Sequence, residues 1–254
     1  MSFLKYGNDA KALLETEAKR EEESFAPFRF WLKRGEKCKI TFLDGELHED
    51  GMLAIPMFYE HRVKFNGRWE NFVCTGAQEP CPLCAQESGR AALVGALTII
   101  DHRKIASKKG DKVYHMEKKL FIAKKKSIQI LTELAETYGG LTGATFEVKR
   151  LDDERSFSVG DMFAFTKKHE VSFLAEKLGE EKSVPFNYSE AIVYHTAAQL
   201  AEMGVVTGIA SVGGGSGGGG AKQAAQSSGD DDDFGGDSDD SVKPGKSEDL
   251  DDIL

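Results

Sequence analysis

Three cysteines within eleven residues constrain this chain more than any other feature: Cys74-x6-Cys81-x2-Cys84, the last pair inside Pro80-Cys81-Pro82-Leu83-Cys84. Two thiolates separated by two residues chelate a tetrahedral ion from a tight turn, and Zn²⁺ is the usual ion for a mixed sulfur and nitrogen set. A fourth ligand follows from hairpin geometry. Asn66-Gly67, between two alternating runs, is a strong two-residue turn signal. That turn sets Phe65 opposite Arg68, Val63 opposite Glu70 and His61 opposite Phe72. Cys74 then becomes the diagonal neighbour of His61 on one sheet face, at roughly 7–8 Å between Cα atoms. The expected ligands of one structural zinc are therefore His61, Cys74, Cys81 and Cys84. His48, His102, His115 and Cys38 are the other candidates. Cys38 shares an apolar strand face with Ile40 and Phe42 and reads as a core thiol. Four protein ligands close a zinc site, whereas a catalytic zinc keeps an open position.

The rest of the chain reads as short strands: two segments within Phe28–Leu43 around Gly35, then Met57–Phe65, Arg68–Cys74, Leu93–Asp101, Tyr114–Ala123, Thr145–Arg150 and Phe157–Thr166. One helix is capped at Ser127, carries Ile128, Leu131, Leu134, Ala135 and Tyr138 on one face, and stops at Gly139-Gly140. A second is expected from about Ser189 to Met203, and residues 9–23 read as a charged helix with a narrow apolar stripe. Many strands with an interposed helix predict a mainly β, α+β chain: an oligonucleotide-binding (OB) barrel with an inserted zinc subdomain. The expected divisions are an N-terminal helical arm (1–24), a core (25–212) with its zinc site at about 57–90, a Gly/Ser-rich linker (213–229) and an acidic tail (230–254). The linker and tail lack the apolar surface that ordering requires and are expected to be disordered.

Charge is divided unevenly. Residues 230–254 hold 11 Asp/Glu against 2 Lys, which leaves 31 acidic and 31 basic residues in the body. Any polyanion site must then come from a local concentration of cations. Residues 102–126 supply one: Arg103, Lys104, Lys108, Lys109, Lys112, Lys118, Lys119, Lys124, Lys125 and Lys126 against Asp111 and Glu117, with Tyr114 and Phe121 interleaved. Strand–turn–strand spacing over this stretch predicts a groove that tracks a phosphate backbone. The second face of the metal hairpin carries Arg62, Lys64 and Trp69. Trp69 is either a base-stacking platform or a core residue. Phe58, Tyr59 and Phe72 are weaker stacking candidates. No helix-turn-helix pairing or Arg/Asn-rich recognition helix is present, so binding to single strands without sequence preference is expected. No phosphate-cradling loop, paired acidic metal motif or nucleophile–base pair is visible either, and no enzymatic activity is expected. The apolar run Ala91–Ile100 is too short to span a bilayer, and with no secretory pattern the chain is expected to be soluble and intracellular.

On the residues His61-x12-Cys74-x6-Cys81-x2-Cys84, the basic segment and the acidic tail, the chain resembles the single-stranded DNA-binding proteins of bacteriophages, particularly the zinc-containing helix-destabilising proteins of T-even phages. Residues 1–23 differ from that family's short basic arm in being rich in Glu, and the spacing from Cys74 to Cys81 is shorter. The resemblance implies an OB barrel, one structural zinc, and a role on single-stranded DNA in replication, recombination and repair, in the cytoplasm of an infected bacterial host. It further implies that the tail, ending in Asp249, Leu250, Asp251, Asp252, Ile253 and Leu254, contacts replication or recombination proteins such as a polymerase, helicase–primase or recombinase. The other reading is a zinc-stabilised phage transcription or recombination accessory or scaffold protein acting mainly through its tail.

Overall fold

The structure, a computed structural model, describes Gly7, Lys11 and residues 27–86, 90–106, 113–156 and 159–206. The expected N-terminal helix, the linker and the acidic tail lie outside these residues, apart from Gly7 and Lys11. The strands are β1 (Lys37–Phe42), β2 (Met57–Phe65), β3 (Arg68–Val73), β4 (Ala92–Asp101), β5 (Ile105–Ala106), β6 (Val113–Tyr114), β7 (Glu117–Lys124), β8 (Ala144–Lys149) and β9 (Met162–Lys168). The helices are α1 (Lys125–Tyr138), α2 (Val171–Leu178), α3 (Glu180–Ser183), α4 (Tyr188–Ala191) and α5 (Ala197–Glu202).

Seven strands form one antiparallel sheet with β4 at its centre. One edge of β4 pairs with β7 from Val94 to Asp101. Its other edge is shared, with β2 along Ala92–Gly95 and β1 along Ile99–Asp101; β8 and β9 extend the sheet beyond β1. Because β4 is central, both of its faces are buried. This accounts for its nearly continuous apolar sequence, broken only by Thr98 before Asp101 ends it, which lacks the alternation of a half-solvated strand. Leu97 and Ile99 point into the main core with Cys38, Ile40, Phe42, Phe121, Phe146, Val148 and the apolar stripe of α1. Val94 and Ala96 face the opposite way and are covered by Phe186, Tyr188 and Ile192 from the C-terminal segment. No helix among the described residues is long and apolar enough to cross a membrane.

Among the described residues the sheet does not close into a barrel. The segment before β1 meets β7 at only one parallel bridge, Arg29 with Leu120, in place of the expected first strand. Phe30 and Leu32 are nevertheless buried in the main core, so their apolar side chains anchor the segment without a backbone ladder. The expected strand Tyr114–Ala123 breaks at Met116, a buried residue with φ of 50°, into β6 and β7. Helix α1 begins at Lys125, and Ser127 is buried within its first turn and does not cap it; Gly139, with φ of 66°, ends it as expected. The helix expected over Ser189–Met203 is two pieces, because the chain is extended at Ile192 and a capping box between Thr196 and Gln199 starts a new helix. The last expected strand runs over Met162–Lys168, with Phe157 and Ser158 outside the described residues. Helix α2 was missed, although Phe173, Leu174 and Leu178 ahead of Gly179 carry a helical period and stop.

Candidate metal centre and nucleic-acid interface

The hairpin β2–β3 has the register expected from its turn. Asn66 and Gly67 adopt φ of 48° and 79°, as a type I′ turn requires. Phe65 pairs with Arg68, Lys64 with Trp69, Val63 with Glu70, Arg62 with Asn71 and His61 with Phe72. Cys74 follows β3, its amide donating to the Tyr59 carbonyl at 2.8 Å, which holds its sulfur beside His61. A 3-10 turn at Thr75–Ala77 then reverses the chain, with the Gly76 amide donating to Cys74 Sγ at 3.4 Å, and returns Cys81 and Cys84 to the same place. The donor atoms of His61, Cys74, Cys81 and Cys84 lie within 4.8 Å of one another, a cluster that could hold a metal ion. His61 Nε2 is 3.3 Å from Cys81 Sγ and 3.5 Å from Cys84 Sγ, and Cys74 Sγ is 3.6 Å from Cys84 Sγ. All three cysteines are free thiols, the sulfurs standing well beyond disulfide bonding distance.

The thiols of this cluster are strongly perturbed by one another and by their surroundings. Burial alone would raise the Cys81 thiol, but the Thr75 hydroxyl and the amides of Cys84, Thr75 and Leu83 outweigh it and bring Cys81 down to about 6. Partial loss of hydration, the adjoining thiols of Cys74 and Cys81 and their negative charge push the exposed Cys84 up to about 12. Crowded sulfur donors of this kind lose their mutual repulsion when a cation sits among them. Cys38 stands apart as a core thiol, and His102 is also buried, its Nε2 2.8 Å from Thr41 Oγ1; neither belongs to the cluster.

Behind the cluster lies a small apolar core of Val63, Phe72, Cys81, Leu83 and Leu200. Leu200 comes from α5, whose first residue, Ala197, donates its amide to Glu79 Oε1 at 2.6 Å. The rings of Phe72 and His195 meet edge to face at 6.0 Å. The C-terminal segment therefore joins the metal lobe to the sheet: Tyr188, nine residues before Ala197, hydrogen-bonds Thr98 Oγ1 at 2.9 Å and also Asp44. Phe72 belongs to this small core and is not a stacking candidate.

The opposite face of the hairpin turns outward. Trp69 is 52% exposed, the Arg62 guanidinium lies 5.0 Å from its ring centroid, and Lys64 is exposed directly across the ladder. This resolves the two readings of Trp69 in favour of the surface. The sequence reading missed Asn71, exposed opposite Arg62 on this same face, although its spacing of two from Trp69 placed it there. Tyr59 is also exposed, on the other face of β2, whereas Phe58 packs in the cluster around Val94.

Residues 102–126 do not form one cationic surface. Arg103 is buried: its Nη2 lies 2.7 Å from Asp101 Oδ2 and 3.0 Å from the Trp31 carbonyl, with Glu36 3.7 Å from Nη1. Lys119 Nζ reaches the same Asp101 oxygen at 2.8 Å. Burial would raise the Asp101 carboxyl, but these two cations hold it below its usual range. Lys118 Nζ donates to the carbonyls of Glu181 and Val184 and lies 4.8 Å above the Phe186 ring; burial lowers its pKa. Phe121 is wholly buried, stacked on Phe30 at 5.7 Å. These placements correct the expectation for Arg103, Lys118, Lys119 and Phe121. A net charge of +8 over a stretch does not show which cations are matched by a carboxylate or carbonyl from elsewhere.

The remaining cations divide between two places. Phe58 and Lys124 flank Val94 on β4 from opposite sides, so Lys124 and the exposed Lys125 and Lys126 lie at the hairpin end of the sheet. Exposed Lys104 and Tyr114 lie beyond the other end, on the small β5–β6 arm that leaves β4 after Asp101. Lys108, Lys109 and Lys112 fall outside the described residues, as do Asp249, Leu250, Asp251, Asp252, Ile253 and Leu254 of the tail. A scan against protein-family profiles finds no match to this chain, and no curated protein matches it.

Proposed function

We propose that this protein binds single-stranded nucleic acid, DNA in the first instance, without catalysis, and that a structural zinc ion braces the hairpin that makes the contact. The carrying observation is the two-sided hairpin: donor groups on one face, and on the other Trp69 with Arg62 against it and Lys64 and Asn71 beside it. A half-exposed aromatic next to cations supplies base stacking and phosphate attraction, neither of which depends on sequence. The dimensions of the donor cluster support zinc. A tetrahedral Zn²⁺ with bonds of about 2.3 Å to sulfur and about 2.0–2.1 Å to nitrogen sets S···S edges near 3.8 Å and N···S edges near 3.6 Å. Three of the six donor separations, at 3.6, 3.3 and 3.5 Å, are close to those lengths, within a cluster whose donors all lie within 4.8 Å of one another.

The sheet is read as an open relative of the OB barrel. Its support is the curl of β7-β4-β1-β8-β9, which brings Phe121 on one outer strand within 6.2 Å of Phe163 on the other. In this reading the protein protects unpaired DNA in phage replication, recombination and repair inside the infected host, and its acidic tail recruits replication proteins. The internal pairing of Arg103, Lys118 and Lys119 favours a second reading, a zinc-stabilised accessory or scaffold protein acting mainly through the tail, because it thins the cationic track.

Fluorescence anisotropy with single-stranded DNA, duplex DNA and single-stranded RNA at two salt concentrations separates the readings. Single-strand preference is expected, with a loss of about 1–3 kcal/mol in Trp69→Ala. Equal affinity for duplex, or no effect of Trp69→Ala, would favour the scaffold.

A further inference from the structure

The three thiols of the metal centre differ in their access to solvent. Cys84 is exposed, Cys74 is half-buried, and Cys81 is buried in the small core with Val63, Phe72, Leu83 and Leu200. The Cys74 and Cys84 sulfurs are 3.6 Å apart, while the Cys81 sulfur faces His61 Nε2 at 3.3 Å. The loop joining Cys74 to Cys84 contains Gly76, and a 3-10 turn already folds it back on itself, so closing it further needs little movement. Cys38, the fourth thiol, is sealed in the main core, and burial pushes it up to about 12.

We propose that Cys84 is a peroxide-modification site, and that its oxidation forms a Cys74–Cys84 disulfide which dismantles the metal centre and loosens α5 from the lobe. The proposal rests on the zinc reading above. In the first step Cys84, which is a thiolate while it serves as a metal ligand, attacks hydrogen peroxide: an S–O bond forms, the O–O bond breaks and hydroxide leaves, giving a sulfenic acid. In the second, the Cys74 thiolate attacks Cys84 Sγ: the S–S bond forms, the S–O bond breaks and a second hydroxide leaves. Two thiolates have each lost one electron and the peroxide has taken both. His61 and Cys81 remain as two donors of four, too few to hold a structural zinc. The small core then loses its brace. Leu200, Val205 and Val206, which pack into it, lose their seat, so the segment that ties the lobe to the sheet is released at its far end.

The test uses the full-length, metal-loaded chain, with zinc content fixed first by elemental analysis. Peroxide is titrated while a chromogenic chelator reads released zinc, and the product is alkylated and mapped by mass spectrometry without reduction. One zinc released per Cys74–Cys84 disulfide is expected, with Cys38 and Cys81 recovered as alkylated thiols and metal uptake restored by a thiol reductant. Cys84→His keeps a nitrogen donor but removes the reactive sulfur, and zinc release from it should be about tenfold slower. Cys38→Ser should release zinc like the parent. Zinc retained by the oxidised chain, a bridge that includes Cys81, or undiminished release from Cys84→His while it still holds zinc overturns this proposal alone. Absence of zinc from the purified protein would sink the zinc reading with it.

Discussion

The sheet body and the metal lobe are built by the same chain on different physical terms. The body buries a large cluster in which Phe42 meets Phe121 and Phe146 at 5.5 and 5.8 Å, and α1 lays Ile128, Leu131 and Ala135 across it. The lobe has four buried apolar side chains behind its donors, Val63, Phe72, Leu83 and Leu200, too little apolar area to offset the ordering of residues 57–86 at about 1–2 kcal/mol per residue. Only the first four residues of β2 pair with β4, so the rest of the hairpin projects past the sheet. Burial suffices for the body, whereas the lobe is expected to depend on an ion held by its four donor groups.

Three experiments probe that difference. The largest expected effect is on the lobe alone. Stripping the ion with a chelator removes an apparent stabilisation on the order of 10 kcal/mol, so amide protection in His61–Val73 should collapse while that in Leu97–Ile100 and Phe146–Val148 persists. Hydrogen exchange reads both regions at once, and equal loss in both would mean that the two fold as one unit. Next, Phe146→Ala in the body should cost about 3–5 kcal/mol in chemical denaturation, with zinc binding by the folded protein unchanged. Weakened zinc binding would tie the lobe to the body more closely than their packing suggests.

The smallest effect concerns the attachment between the two regions. Asp44 accepts from the Thr98 amide and from Tyr188, and burial raises it to about 6 despite these hydrogen bonds. In the unfolded chain the carboxyl titrates near 3.9. The folded state therefore binds this proton more tightly, and the resulting stability is full below about pH 4 and lost as pH rises through about 6. Asp101 runs the other way: its depressed pKa gives stability above the ordinary carboxylate range that is lost as acid protonates it. Asp44→Asn should gain on the parent by on the order of 2 kcal/mol between pH 4.5 and 7.5. Denaturation at the two pH values measures it, and a pH-independent difference would remove Asp44 as the titrating group.

The hairpin and the cluster of donor groups were legible because their rules are local. A type I′ turn fixes register, and register fixes which side chains share a face, so His61 and Cys74 could be paired across thirteen positions of sequence. Strands β2, β4 and β8 were legible from their runs of apolar or alternating residues for the same reason. The Lys119 ion pair was not, because it depends on Asp101 lying beside it in a central strand whose partners are set by long-range pairing; Arg103 meets Asp101 only two residues away, and what the sequence did not carry there is the burial of both groups. Phe121 shows the same limit: an aromatic between lysines looks exposed until the strand is placed against a core that it faces.

Local chemistry alone thus determined the donor set, the hairpin's two faces and the helix that ends at Gly139, since turn geometry, side-chain period and backbone freedom act within a few residues. Tertiary structure alone decided which of the described cations are neutralised, that the sheet of the described residues remains open, and that the C-terminal segment joins the lobe to the body. Charge pairing and burial depend on distance in space, and residues far apart in sequence acquire that distance only when the sheet assembles.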